Sequence, residues 1–334
     1  MSVVALGDIR IALFEFSFRV QSKVLLPPYK GSALRGAFGT IFRRITCSER
    51  GLNDCSPCDL RSACPYGKIF EPGPPNNSTR LRNLENVPRP FVLRPPLDAK
   101  LEYAPDDQIV FWVVLAGWAI EYLPYFIVAL NELGHDGLGS KQNGKRGKVE
   151  LERVRMFNPL YPDEFTVFDG KIVYSPNDSL IVTGQQIDEE TRLRSWNPLT
   201  VEFLTMTRLK YENEFVASPP FHVLLRSLLR RYSTIAYFYH GIEPDLDFAA
   251  LIKEATGVRT VDSRLRWVDW ERYSTRQKAS MNMGGIIGTV TYSGDIEPFG
   301  SLLMLGELIH VGKGTTFGLG QYRLVNRRGA PDSG

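Results

Sequence analysis

The first half of the chain alternates between two hydrophobic periods. Residues 14–20 place an apolar side chain at every second position, which predicts a strand with one buried face. From residue 34 the apolar positions follow a helical spacing, and Ser32 stands where a helix N-cap is expected. Gly134 is expected to cap the second helix. The pattern therefore predicts strand, helix, strand, helix and strand, over residues 14–20, 34–45, 109–115, 120–130 and 148–155.

The second half repeats this order of elements. Pro220 opens a long amphipathic helix that we expect to end at Gly241. The segment E-L-x-H-x-G-x-G occurs twice, beginning at Glu132 and at Glu307, each time at the end of the second helix of its half. The predicted strand, helix, strand, helix and strand lie over residues 201–209, 221–239, 286–292, 298–309 and 321–325.

This duplication predicts an α+β protein made of two tandem ferredoxin-like (β-α-β-β-α-β) domains. We expect the first domain over residues 1–160 and the second over residues 200–334. A linker is predicted over residues 161–199, where Pro, Asn, Asp and Gly accumulate.

Composition is that of a globular protein. The chain has 334 residues, of which 43% are hydrophobic and 23% charged, and a formal net charge of +3. So small a charge does not by itself indicate a nucleic-acid partner. We expect no secretion signal, because Asp8 and Arg10 interrupt the apolar start. The apolar run 108–120 is too short to cross a bilayer, so a cytoplasmic protein is expected.

All four cysteines of the chain fall within one short segment, with the spacing C-x7-C-x2-C-x5-C. Cytoplasmic cysteines in a cluster favour a bound metal, and four thiolates with a knuckle pair suit a structural zinc. An iron-sulfur cluster and a disulfide pair are the alternatives. We expect a small metal-binding insertion with four cysteines at about residues 46–72 of the first domain, with the ligands Cys47, Cys55, Cys58 and Cys64.

A glycine-rich segment, His310-Val-Gly-Lys-Gly-Thr-Thr-Phe-Gly-Leu-Gly-Gln-Tyr322, precedes the last predicted strand. Glycines let backbone amides approach a ligand, and Lys313 with the two threonines adds donors that suit phosphate oxygens. A tight helix-to-strand connection, whose glycines only supply positive φ, explains the same letters.

This segment resembles the C-terminal glycine-rich signature of the CRISPR-associated precursor-RNA processing endoribonucleases, the repeat-cleaving branch of the RAMP superfamily. Three further blocks, in chain order, resemble the branch with a cysteine-containing insertion. They are Leu26-Pro-Pro-Tyr-Lys-Gly-Ser-Ala-Leu-Arg-Gly-Ala-Phe-Gly39, Cys64-Pro-Tyr-Gly-Lys-Ile-Phe-Glu71 and Trp270-Glu-Arg-Tyr-Ser-Thr-Arg-Gln277.

The resemblance implies an enzyme that cuts CRISPR repeat RNA to release guide RNAs. In this family the upstream ribose 2'-hydroxyl attacks the phosphate without a catalytic metal, leaving 2',3'-cyclic phosphate and 5'-hydroxyl ends. Many members carry a general-base His just after the first helix. This chain departs from that pattern, because its first histidine is His135. We therefore expect the catalytic groups among His310, Lys68 and Tyr66.

RNA binding is expected at the first helix, at the basic loop that carries Lys141, Lys145, Arg146 and Lys148, at the third resembling block and at the glycine-rich loop over residues 312–320. The expected residues are Tyr29, Lys30, Arg35, Lys145, Arg146, Tyr273, Arg276, Gln277, Gly312, Lys313, Gly314, Thr315, Thr316, Gly318 and Gly320. The partners implied are CRISPR repeat RNA and other CRISPR effector subunits. Two alternatives stay open: a RAMP-type subunit that holds guide RNA without cutting, and a redox protein built on the cysteines.

Overall fold

A computed structural model describes residues 4–49, 51–75, 78, 87–274 and 279–325 of the chain. These residues form two compact units. One consists of residues 11–181 together with 238–240, and the other contains the rest of the described chain. Each unit has its own sheet.

The first unit is built on a sheet of antiparallel strands whose helices cross one face. Its strands are β1 (Arg10–Val20), β2 (Val24–Leu25), β3 (Phe91–Arg94), β4 (Glu102–Tyr103), β5 (Gln108–Ala116), β6 (Leu138–Gln142), β7 (Lys145–Gly147), β8 (Val149–Phe157) and β9 (Glu164–Phe168). Its helices are α1 (Gly31–Thr46), α2 (Pro65–Ile69) and α3 (Leu123–Asp136). A 3-10 turn, Gly117–Tyr122, leads into α3.

Aromatic side chains fill the space between this sheet and its helices. The strands follow the order β3-β5-β1-β8-β9, and Phe16 of β1 lies opposite Phe111 of β5 with stacked rings 5.6 Å apart. Phe38 of α1 meets Phe126 of α3 with ring centroids 4.9 Å apart. All four rings are fully buried, so the period-two and helical patterns of the sequence meet in one core.

The second unit repeats the plan. Its strands are β10 (Val182–Thr183), β11 (Leu199–Thr207), β12 (Lys210–Tyr211), β13 (Glu214–Phe215), β14 (Arg259–Val268), β15 (Glu271–Ser274), β16 (Ala279–Asn282), β17 (Gly285–Ser293) and β18 (Tyr322–Val325). Its helices are α4 (Gly184–Thr191), α5 (Phe221–Ile235), α6 (Phe248–Ala255) and α7 (Gly300–Ile309). The main sheet has the order β14-β17-β11-β18, and all its described pairings are antiparallel.

Both main sheets have the ferredoxin-like connectivity. In each, the first strand lies at the centre between the third and fourth strands of the β-α-β-β-α-β order, and the second strand lies outside the third. The predicted tandem ferredoxin-like fold is therefore confirmed. The segment 161–199, expected to be a linker, contains β9, β10 and α4.

Two predicted helix ends are wrong. Helix α1 begins at Gly31 and is preceded by Lys30, so Ser32 lies inside it and caps nothing. Helix α3 continues past Gly134 to Asp136 and is capped by Gly137. Gly134 has a packing role instead, since a Cβ there would lie 2.4 Å from the Val149 carbonyl oxygen of β8.

Candidate functional site

The glycine-rich loop is shaped by close backbone contacts. Gly312, Gly314, Gly318 and Gly320 all have φ between 73° and 81°. A Cβ on Gly312 would lie 2.5 Å from the Arg208 carbonyl oxygen, and one on Gly320 would lie 1.8 Å from the Val311 carbonyl oxygen. These glycines are therefore required by the backbone of the loop itself, whatever the loop binds.

His310 braces this loop from inside. Its side chain is wholly buried, its φ is 60°, and its ring Nδ1 lies 3.1 Å from the Leu319 carbonyl oxygen. Thr315 and Thr316 are also buried. Lys313 is the loop's exposed cation. In this conformation, the side chain of Lys313 can contact a ligand, whereas the buried side chains of His310, Thr315 and Thr316 cannot.

Lys68 lies among aromatic rings in the first unit. Its Nζ donates a hydrogen bond to the Tyr122 hydroxyl at 2.9 Å, and it stands 5.1 Å from the Trp118 ring centroid and 5.3 Å from that of Tyr122. No ion pair joins it to a carboxylate within the described chain. Its ammonium charge is thus held by π faces and a phenol oxygen.

The same rings are anchored by their other contacts. Tyr122 stacks on Tyr125 with centroids 5.7 Å apart, and Tyr125 is exposed. Trp118 packs against Tyr239 at 5.3 Å, and its indole donates to the Phe238 carbonyl oxygen at 3.1 Å. Residues 238–240 belong to this unit, so the ring cluster joins segments distant in sequence.

The other residues predicted around the first helix are less accessible. Tyr66 is buried, stacks on Phe70 at 5.3 Å and lies 3.4 Å from a Glu71 carboxylate oxygen. Lys30 is wholly buried, and its Nζ donates to Asp98. Tyr29 and Arg35, which were also expected to bind RNA, are partly exposed. The Arg35 guanidinium lies 5.3 Å from the Phe70 ring centroid.

The basic loop is a β-hairpin. Strands β6 and β7 are joined by Asn143-Gly144, both with positive φ, as in a tight hairpin turn. Lys141, Lys145 and Arg146 are exposed, and none makes an ion pair within the described chain. The sequence predicted the charges but described a loop; the Asn-Gly pair was the signal for the hairpin.

The third resembling block falls partly outside the described residues. Tyr273 lies in β15, which pairs with β16. Arg276 and Gln277 lie outside the described residues.

The cysteine segment connects α1 to α2. Burial, the charge of Glu71 and a Glu71 hydrogen bond raise the pKa of Cys55 to about 12, and the thiols of Cys47 and Cys58 add to that rise. The Cys64 Sγ faces the Thr46 carbonyl oxygen at 3.5 Å. Among the residues that the structure describes, no three His, Cys, Asp or Glu side chains are grouped as metal ligands. The side chains as they stand therefore do not form a zinc site.

Comparison with known families assigns both halves of the chain. Residues 9–185, more than half of the chain, match the N-terminal domain family AF_1859_N. Residues 201–322 match the family described as CRISPR-associated endoribonuclease Cas6. The chain belongs to the AF_1859_N family through residues 9–185, and residues 201–322 form a domain of the CRISPR-associated endoribonuclease Cas6 family. The resemblance carried by the sequence motifs is confirmed, and the chain is an endoribonuclease of CRISPR RNA processing.

One curated protein and several solved structures are similar to the chain over most of its length. An uncharacterized protein of Archaeoglobus fulgidus is 24% identical over 307 residues, which cover 90% of this chain and 92% of that one. A chain of a partial Cas6-RT-Cas1–Cas2 complex superposes with a TM-score of 0.58 at 16% identity, covering 97% of this chain but 47% of its own length. A Cas6 product complex gives 0.53 at 16% identity, covering 94% and 100%.

Sequence reasoning missed Trp118 and Tyr122 as members of the candidate site. They fall in the 3-10 turn between β5 and α3; Trp118 precedes the helix predicted over residues 120–130, and Tyr122 lies inside it at a position that the apolar spacing does not mark. In the described part of the chain, no helix is both long and apolar enough to cross a bilayer.

Proposed function

We propose that the chain cuts CRISPR repeat RNA by attack of a ribose 2'-hydroxyl on the adjacent phosphate, with Lys68 and Tyr122 acting on the reacting atoms. The observation that carries the proposal is the 2.9 Å hydrogen bond from Lys68 to Tyr122, made by an ammonium with no carboxylate partner in the described chain.

The reaction needs stabilisation of negative charge and a proton donor, and Lys68 and Tyr122 supply these two functions. As the 2'-oxygen bonds to phosphorus, negative charge builds on the phosphoryl oxygens, and the ammonium of Lys68 stabilises it. When the bond from phosphorus to the 5'-oxygen breaks, the Tyr122 hydroxyl donates its proton to the leaving oxygen. The nearby ammonium stabilises the phenolate that results, and water, which takes the proton of the attacking 2'-hydroxyl, returns a proton to the phenolate after the cut. The products are a 2',3'-cyclic phosphate and a 5'-hydroxyl, and no metal takes part.

The pair is tested by single-turnover cleavage of repeat RNA. Lys68→Met and Tyr122→Phe should each slow cleavage by about 10²-fold to 10⁴-fold, because the first removes the charge that stabilises the phosphoryl oxygens and the second removes the proton donor to the leaving oxygen. Lys171→Met is the control, since Lys171 is an exposed lysine of the same unit. Full activity of both site variants would reject this choice of residues.

His310 and Tyr66 remain proposed catalytic residues with a separate test. His310 acts as general base only if the loop that buries it opens to the substrate. In that case His310→Ala slows cleavage by about 10²-fold to 10⁴-fold while RNA affinity is kept. Unchanged cleavage with unchanged folding assigns His310 to the loop alone. Tyr66→Phe, which keeps the buried ring, applies the same criterion to the Tyr66 hydroxyl.

The mechanism is tested independently of the residues. Cleavage should proceed in EDTA and stop when the nucleotide upstream of the cut carries 2'-deoxyribose. Cleavage of the deoxy substrate would exclude 2'-hydroxyl attack, and loss of cleavage in EDTA would exclude a metal-independent reaction.

A second function is favoured by the burial of His310 and by the lack of an early histidine. It is a guide-RNA-binding subunit that does not cut, assembled with other CRISPR proteins. Binding of repeat RNA without any product, in the presence and absence of those subunits, would select it.

RNA binding is proposed for the exposed basic residues of the hairpin and the glycine-rich loop, with Tyr29, Arg35 and the 270–277 block as further contacts.

A structural zinc is proposed from the cysteine spacing alone, with rearranged thiol side chains. Metal analysis of purified protein should then give about one zinc per chain, and Cys55→Ser should lower stability more than cleavage. If the purified protein contains neither zinc nor iron, the proposal of a structural zinc is rejected. A cytoplasmic location is proposed on the same basis of clustered thiols.

A further inference from the structure

Two cations of the second unit share one aromatic ring. The Arg208 guanidinium carbon lies 4.3 Å from the Phe215 ring centroid, and the Lys313 Nζ lies 5.9 Å from the same centroid. Phe215 is 37% exposed. Both positive charges therefore lie within 6 Å of the centroid of one partly exposed aromatic ring, which attracts each of them.

Backbone contacts fix all three residues. Arg208 follows β11, and its carbonyl oxygen accepts the Lys313 amide at 3.3 Å. Gly312 can pack against this carbonyl oxygen because it lacks a Cβ, which would lie 2.5 Å from that oxygen. Phe215 is delivered by the β12–β13 hairpin, where it lies opposite Lys210. The fold thus holds the backbones of Arg208, Lys313 and Phe215 in place and brings those of the two cationic residues into contact.

Neither cation is neutralised. Within the described chain no ion pair joins Arg208 or Lys313 to a carboxylate, although Glu212 and Glu214 lie on the same hairpin. The Arg208 Nε is buried without a hydrogen-bond acceptor, and the polar contact of its Nη1 is the sulfur of Met283 at 3.7 Å. Burial lowers the pKa of Arg208, which reflects a charge removed from water without compensation.

We propose that Arg208 and Lys313 bind one phosphodiester group of a single-stranded RNA segment, and that Phe215 is the positioning residue that holds both cations for it. A guanidinium fork and an ammonium together suit the oxygens of one phosphate, and a bound anion relieves the repulsion between them. Acidic side chains of a protein partner would be the other class of anion. The adjoining glycine-rich loop belongs to an RNA-processing family, so the inference rests on the proposed function for its choice of RNA.

The test measures binding of a fluorescein-labelled uridine dodecamer between about 50 and 200 mM salt. Because both cations act on one phosphate, Arg208→Met and Lys313→Met together should lower the slope of log affinity against log salt by about 0.7. Each single variant should weaken binding roughly 10-fold, and the double variant by less than the product of the two. Phe215→Leu should weaken binding about 2-fold to 5-fold with an unchanged slope, because the charges remain.

Lys253→Met, which removes an exposed charge from α6 of the same unit, is the control and should leave the slope unchanged. Lys313→Met keeps the test decisive if Arg208→Met fails to fold, because Lys313 is exposed. The site is rejected if the wild-type protein does not bind the oligonucleotide, or if the double variant matches the control. The dodecamer carries no repeat sequence, so a protein that fails to cut repeat RNA can still show this binding, and the two proposals fail separately.

Discussion

Replacing Asp98 with Asn tests whether Lys30 is a structural cation. Lys30 is wholly buried, and its Nζ donates to the Asp98 carbonyl oxygen at 2.7 Å and lies 3.2 Å from its carboxylate. The carboxylate itself is half exposed. Asp98→Asn keeps the size of the side chain and one acceptor oxygen, but it removes the negative charge that compensates a buried ammonium.

The expected cost follows from which partner is left behind. A buried charge that loses its counter-ion destabilises a protein by about 3 to 5 kcal/mol. Here the backbone carbonyl still accepts one hydrogen bond, so we expect about 2 to 3 kcal/mol, the value typical of a charged hydrogen bond. In a protein of this size such a loss should lower Tm by roughly 5 °C.

Urea unfolding followed by circular dichroism measures this change, with Asp107→Asn as the matched control. Asp107 also pairs with a lysine, Lys100, at 2.6 Å, but both of these side chains are part-exposed, so its loss should lower the stability much less than the loss of Asp98. Equal effects of the two variants, or a smaller effect at Asp98, would refute the structural role and leave Lys30 open to RNA.

Gly320→Ala should destabilise far more than Gly144→Ala, because a Cβ meets the Val311 carbonyl at the first site and open space at the second, while φ is positive at both; comparative unfolding measures this. Lys145 and Arg146 replaced together with Ala should weaken RNA binding and flatten its salt dependence by up to about two units of slope, which fluorescence titration would detect. The pKa of Asp98 is lowered, because burial raises it less than the hydrogen bonds from Tyr103, Lys100 and Lys30 lower it. The stability that Asp98 contributes is therefore present above the ordinary carboxyl pKa and is lost as pH falls through the lowered pKa. Acid unfolding of the wild-type protein, compared with that of Asp98→Asn, measures this loss.

The fold could be predicted because its strongest patterns are local. The alternation of β1 and the helical spacing of α5 depend on side chains a few residues apart, and each meets a complementary surface in the core. The edge strand β14 was missed although Val261, Leu265 and Trp267 alternate with charged residues, because almost all its side chains are exposed and it adds little to the core. Helix ends were missed where packing decides the position of a glycine, as at Gly134.

The site was predictable in its charges but not in its partners. Lys68 and Lys313 were named from their motifs, whereas Tyr122 and Phe215 belong to elements distant in sequence from those motifs. Gly117 illustrates the difficulty: its φ is +58°, and a Cβ there would lie 1.9 Å from the Tyr239 carbonyl oxygen. No pattern within either segment indicates that contact, so it emerges only from the folded chain.

The way each cation is held separates structural from functional candidates. Lys30 and Arg155 are paired with carboxylates, Asp98 in one case and Glu15 in the other, and their charge is neutralised inside the protein. Lys68 is held instead by Tyr122 and Trp118, and Lys313 by Phe215. An aromatic ring orients an ammonium without cancelling its charge, so the full attraction for a phosphate remains. A carboxylate placed beside either lysine would cancel its charge, and we therefore expect such a substitution to weaken RNA binding or cleavage about as much as removal of the lysine's charge, as measured by fluorescence titration and single-turnover cleavage.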